Sequence, residues 1–208
     1  IEEIDAIIDK SGTVVSCEIQ GYIDSVMKLS GVPDLALSFI NARIFDDVSF
    51  HPCVRFKRWE SDRMLSFIPP DGHFRLMSYH VGSSSSIPIP IYIRHNISFK
   101  AGMAGKIDIT VGLKQTMGRP VDDVKIDIPM PKSSVNCSLT PNVGKFSYDT
   151  VTKTGTWDIG KIDPQKLPNI RGTVQFASNS TSVEATPTFG VHFKVEQVAM
   201  SGLRVNRL

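Results

Sequence analysis

Apolar residues recur at every second position along most of this chain, in runs of five to ten residues broken by turn-forming clusters. That period is the signature of strands with one buried face. It predicts strands at 14–20 (continuing past Ile23), 35–39, 64–68, 74–81, 87–99, 107–111, 124–128 and 135–139. Further strands are predicted at 145–148, 154–159, 172–176, 189–195 and 203–208. Residues 1–9 are the best helical candidate, but their alternation suits an edge strand equally well. No window of eleven or more residues holds a helical apolar stripe, and only Asp163-Pro164-Gln165-Lys166 suggests a helical turn. Ser11-Gly12, Gly31-Val32-Pro33-Asp34, Pro141-Asn142-Val143-Gly144 and Thr154-Gly155 supply turns between the strands. Many short strands at this spacing predict an all-β sandwich.

Leu65-Ser66-Phe67-Ile68-Pro69-Pro70-Asp71-Gly72, followed by Phe74 and Leu76, is the sharpest local pattern. It predicts a hairpin with Leu65 and Phe67 on one face and Phe74 and Leu76 across from them. Pro-Pro-Asp-Gly sets φ twice and then tolerates a positive φ, as a tight turn requires. Gly82-Ser83-Ser84-Ser85-Ser86 and the stretch 177–187 read as surface loops, and they bracket a contiguous segment.

Composition narrows the function classes. Of 208 residues 41% are hydrophobic and 21% charged, with a net charge of +2, so no global basic field points to nucleic acid. Apolar runs such as Ile87-Pro88-Ile89-Pro90-Ile91 are too short and Pro-broken to span a bilayer as a helix. The start, Ile1-Glu2-Glu3-Ile4-Asp5, is acidic, unlike a signal peptide, and lacks Met, as an excised piece would. Cys17, Cys53 and Cys137 are too scattered for a disulfide framework or a zinc site, which favours buried free thiols in a reducing, cytosolic setting.

Chemistry is sparsely signalled. The histidines His51, His73, His80, His95 and His192 are far apart, and only His51 has a cysteine, Cys53, at strand spacing. No nucleophile elbow or phosphate-cradling glycine loop occurs. Asp46-Asp47 and Asp122-Asp123 are sequence neighbours, so on strands their carboxylates point apart and form no acid/base dyad. No catalytic, metal or cofactor site is predicted. The run Arg55, Lys57, Arg58 beside Trp59 is the one basic cluster. On a strand, Arg55, Lys57 and Trp59 would share a face able to meet anionic lipid, each cation contributing on the order of 1 kcal/mol. A solvated strand face whose charges deter edge pairing explains the same residues.

As a string, Phe50-His51-Pro52-Cys53-Val54-Arg55-Phe56-Lys57-Arg58-Trp59-Glu60 with the Pro-Pro-Asp-Gly segment resembles the C-terminal cargo-binding domain of adaptor-complex medium (mu) subunits, most closely that of the third adaptor complex. Lys28-Leu29-Ser30-Gly31-Val32-Pro33-Asp34-Leu35, Thr156-Trp157-Asp158-Ile159-Gly160 and Ser201-Gly202-Leu203-Arg204-Val205-Asn206-Arg207-Leu208 extend the resemblance over nearly the whole chain. It implies an elongated, immunoglobulin-like β-sandwich with a second β lobe inserted into the first. Residues 1–83 and 189–208 would form the first, cargo-signal lobe and residues 84–188 the inserted one.

The family binds Tyr-x-x-Φ signals (Φ a bulky apolar residue) in cytosolic tails of membrane proteins by strand addition. It works with the other adaptor subunits, peripherally on the cytosolic face of Golgi and endosomal vesicle membranes. Carried over, the Φ pocket falls on Val205 and Leu208, positions that ordinary core packing would explain equally. The position of a tyrosine-pocket lysine falls on Val26, with Lys28 two residues on. The pocket Asp belongs to a strand just before the position of Ile1, and other pocket residues to a strand beyond Leu208. A relative of the stonin or muniscin kind, holding a protein or anionic lipid without reading a tyrosine signal, is the alternative.

Overall fold

Strand formation follows the period-two pattern except at residues 47–50, a short strand the pattern does not predict, and the structure adds which strand pairs with which. The computed structural model describes residues 1–82, 87–99, 104–114, 119–177 and 188–207. Two compact units are present: Ile1–Pro88 with Val198–Leu208, and Ile89–Gln197.

In the first unit the elements are β1 (Glu2–Ile8), β2 (Val14–Met27), β3 (Leu35–Phe39), β4 (Asp47–Phe50), α1 (Phe56–Asp62), β5 (Met64–Phe67) and β6 (Gly72–Val81). The second holds β7 (Ile91–Ser98), β8 (Gly105–Leu113), β9 (Asp122–Pro129), β10 (Ser134–Pro141), β11 (Lys145–Asp149), β12 (Thr154–Gly160), β13 (Asn169–Phe176) and β14 (Gly190–Lys194). The chain then re-enters the first unit and ends on β15 (Val205–Arg207). Every pairing between these strands is antiparallel.

The first unit has one sheet in the order β1-β2-β6-β4 and another in the order β15-β3-β5. The Pro-Pro-Asp-Gly segment is therefore not a hairpin. Leu65 pairs with Leu37 on β3, whereas β6 pairs with β2 and β4. Pro69 and Pro70 have no N–H to continue a ladder, so the turn carries the chain from one sheet to the other. Leu65, Phe67, Phe74 and Leu76 are all buried as a result. β1 is an edge strand, the one of the two forms left open by its alternation that the structure adopts.

An aromatic cluster closes this core. Trp59 is 1% exposed, and its ring meets Phe50 at 5.1 Å, Phe45 at 5.8 Å and Phe39 at 6.3 Å between centroids. Phe45 in turn lies 4.9 Å from Tyr79 of β6. Trp59 sits on a helix where the basic run predicts a strand. At seven residues α1 is too short to show a periodic stripe, and local bonds hold it. Arg58 pairs with Asp62 one turn on at 3.0 Å, and Ser61 Oγ donates to the Lys57 carbonyl. Arg63 ends it in the left-handed region (φ 53°), with its N–H on the Trp59 carbonyl.

The second unit has sheets β10-β13-β8-β7 and β11-β12-β9-β14 around a single apolar core that includes Ile109, Val111, Ile126, Ile128, Trp157 and Ile170. Regular pairing in the predicted 87–99 strand starts only at Ile91, after Pro88 and Pro90. The 189–195 strand is expected in the first lobe, but β14 pairs with β9 of the second unit. The chain returns to the first unit at Val198. The predicted helical turn at Asp163 is a simple turn, with the Lys166 N–H on the Asp163 carbonyl.

None of the three cysteines is in a disulfide. Burial pushes the Cys137 thiol up to about 11, so almost none of it is thiolate at neutral pH. Iodoacetamide at pH 7.5 is expected to leave Cys137 unmodified in the folded protein and to alkylate it fully in denaturant, read by peptide mass spectrometry.

Candidate functional site

Among the described residues, β15 lies at one side of the β15-β3-β5 sheet. Among the described residues β15 pairs with β3 alone, through Val205 opposite Phe39 and Arg207 opposite Ser38. The adjoining Ile40 N–H donates to the Arg204 carbonyl. Residues opposite one another in a ladder share a face, so Val205 leaves the sheet on the same side as the buried Phe39. Yet Val205 is 55% exposed. An apolar side chain left exposed on the core side of a sheet is a docking position. Leu208 lies outside the described residues.

The other predicted site residues are not gathered here. Val26 pairs with the exposed His73 and lies on the outward face of the β2–β6 pair, 64% exposed. Lys28 follows the end of β2 and is exposed. Next to it, Met27, Leu29, Val32, Pro33, Ile68 and Pro69 line a shallow apolar depression of about 200 Å³.

The basic run is also rearranged from the predicted strand face. Arg55 grips Asp34 with both guanidinium ends (2.6 and 3.1 Å) and reaches Ser66 Oγ at 2.6 Å. That grip holds the Asp34 carboxyl below its ordinary range and raises Arg55. Arg58 is committed to Asp62, while Lys57 is exposed on α1. Trp59 is buried rather than sharing an outward face with Arg55 and Lys57. The cation over its ring is Arg63, 5.5 Å from the centroid.

A polar network that the sequence pattern does not reveal sits at the entry to β15. Glu2 accepts from Tyr79 Oη at 2.8 Å, from the Ser201 N–H at 3.0 Å and from Ser201 Oγ. Ser201 Oγ accepts the Leu203 N–H at 3.1 Å. The Tyr79 ring lies flat across Gly21, where a Cβ would fall 2.1 Å from Cζ. Burial foremost, then the Glu2 hydrogen bond, raises the Tyr79 phenol above its ordinary value. The chain offers no sequence signal for this network beyond a glutamate at a core-facing position of β1.

On the outer face of the β1-β2-β6-β4 sheet, Glu3, Gln20, Tyr22, Asp47, Arg75 and His80 surround an open groove of about 610 Å³. Arg75 is already paired with Asp24 at 2.9 Å and stacked 3.9 Å over Tyr22. His80 stands 3.8 Å from Glu18 and 3.9 Å from Asp46. No group of three or more metal-ligating side chains occurs among the described residues. Nor is any described helix long and apolar enough to cross a membrane.

A β unit of two sheets, with a second β unit formed by the intervening segment, is the architecture of the mu homology domains. Its fold matches the Fcho1 mu homology domain of Danio rerio with a bound Eps15 peptide (TM-score 0.72, 13% identity, 100% of this chain and 86% of that one). It likewise matches the yeast delta-COP-I mu-homology domain complexed with a Dsl1 WxWxV peptide (TM-score 0.66, 15% identity, 99% and 85%).

The family model for the adaptor complexes medium subunit family matches residues 1–208, and the chain belongs to that family. It is 56% identical over 209 aligned residues to AP-3 complex subunit mu-2 of Homo sapiens and to AP-3 complex subunit mu-1 of Bos taurus. Each alignment covers 100% of this chain and 50% of the relative, so the chain spans half the length of the relatives it matches.

Proposed function

We propose that the chain is a cargo-recognition module: an extended Tyr-x-x-Φ segment from the cytosolic tail of a membrane protein adds along the open edge of β15. Main-chain hydrogen bonds supply affinity, and the Φ side chain packs on Val205 at the rim of the core. The observation that carries this is Val205, more than half exposed on the core side of an edge strand, in a member of the medium subunit family. Its work is binding rather than catalysis, beside the other adaptor subunits, peripherally on the cytosolic face of Golgi and endosomal vesicle membranes.

Calorimetric titration of the full-length protein with a Tyr-x-x-Leu peptide and its Tyr→Ala control tests the reading. The tyrosine peptide is expected to bind and the control to lose at least tenfold. Val205→Asp is expected to weaken the tyrosine peptide by tenfold or more, since a carboxylate would be desolvated against the Φ side chain. Absence of binding, or equal binding of the two peptides, overturns the tyrosine reading. Equal binding would favour the second reading, a stonin- or muniscin-like module that holds a partner without reading tyrosine. The exposed apolar Val26, at the position the family resemblance gives to a pocket lysine, is the observation on its side.

A further inference from the structure

Alternation along β1 places Glu2 with Ile4 and Ala6 on the half-buried face, and Glu3 and Asp5 on the exposed one. A carboxylate on a core-facing position costs desolvation unless donors surround it. Here three donors converge on it, from two places far apart in sequence: Tyr79 Oη on β6, and both the N–H and the hydroxyl of Ser201. Tyr79 belongs to the β1-β2-β6-β4 sheet, whereas Ser201 opens the turn leading into β15 of the other sheet.

That turn is tight. The Gly202 N–H donates to the Ala199 carbonyl, Gly202 takes φ +77°, and Ser201 Oγ fixes the Leu203 N–H two residues ahead of Val205. The pairing of β15 to β3 carries a register irregularity between its two pairs. The turn that leads into the strand is held by Glu2 through Ser201.

We propose that Glu2 is a positioning residue: it latches the Ser201 turn to β1 and β6 and thereby fixes the β15 edge on which cargo adds. The binding half of this rests on the reading given under the proposed function; the latch does not.

Glu2→Gln is the sharpest variant because it keeps size and removes only the second acceptor. If the side-chain oxygen stays beneath the two hydroxyls, the new NH₂ faces the Ser201 N–H, donor against donor. Hydrogen exchange of full-length protein is expected to quicken roughly tenfold across 199–207 in Glu2→Gln, and Tyr-x-x-Leu affinity to fall by a similar factor. Leu76→Val, a core change in the same unit away from the latch, serves as the stability control. It is expected to lower the melting temperature while leaving exchange at 199–207 and peptide affinity within about twofold.

Unchanged exchange across 199–207 in Glu2→Gln overturns the latch. Faster exchange with unchanged affinity overturns its role in positioning the cargo edge. If the parent protein binds no tyrosine peptide, the cargo reading fails alone, and the exchange comparison still decides whether Glu2 holds β15.

Discussion

Trp59→Ala is expected to lower the stability of the first unit by about 3–5 kcal/mol, the range for deleting a fully buried tryptophan. The ring is 1% exposed and bounded by Phe39, Phe45 and Phe50, three rigid side chains that cannot collapse into the space it leaves. Aromatic edge-to-face contacts add to the area lost, at about 0.5–1.5 kcal/mol per pair. Damage should spread to the candidate site, because Phe39 is the residue opposite Val205 on β15. Segment-resolved hydrogen exchange should show the protection of β3, β5 and β15 falling together. Trp59→Phe should cost less, retaining a ring against Phe50.

Trp157→Ala is expected to do comparable harm in the second unit, again about 3–5 kcal/mol. Trp157 is fully buried on β12, between Phe146 of β11 and Ile126 of β9 in register. Its indole N–H donates to the Val143 carbonyl at 2.9 Å, so alanine leaves both a cavity and a carbonyl without its donor. Trp157→Phe separates the two effects: it keeps most of the volume and should cost about 1–2 kcal/mol through the hydrogen bond. The chain has two tryptophans, one in each unit. Each variant therefore leaves a single indole, whose emission during denaturant unfolding reports on the unaltered unit.

Strand positions were legible because the period-two pattern is written into each segment by burial on one face, as at Ile107, Ile109 and Val111 of β8. Pairing partners were not. Leu65 and Phe67 read as one arm of a hairpin, since Pro69-Pro70-Asp71-Gly72 is turn chemistry whether the chain doubles back in its sheet or crosses to another. Only the missing proline donors hinted at the crossing. The strand at Gly190–Lys194 looks alike on either unit, and its place beside β9 is a long-range fact. α1 escaped because seven residues cannot display a helical period, and its apolar residues are just Phe56 and Trp59. The bond that matters there, Arg55 to Asp34, spans 21 residues.

For the candidate site, the family resemblance singled out Val205, while physics alone left it a core aliphatic. The structure gives it a distinct status through exposure at an edge. Glu2 was invisible for the opposite reason: one acidic residue in an alternating strand looks like a solvated charge until its three donors are placed around it.

Strand addition at β15 is tested most directly by hydrogen exchange of the full-length protein with and without saturating Tyr-x-x-Leu peptide. Slowed exchange confined to the segment carrying Val205–Arg207, and absent with the Tyr→Ala peptide, is the predicted result. Protection instead around the apolar depression at Met27–Pro33 and Ile68–Asp71, or nowhere in the first unit, would contradict it.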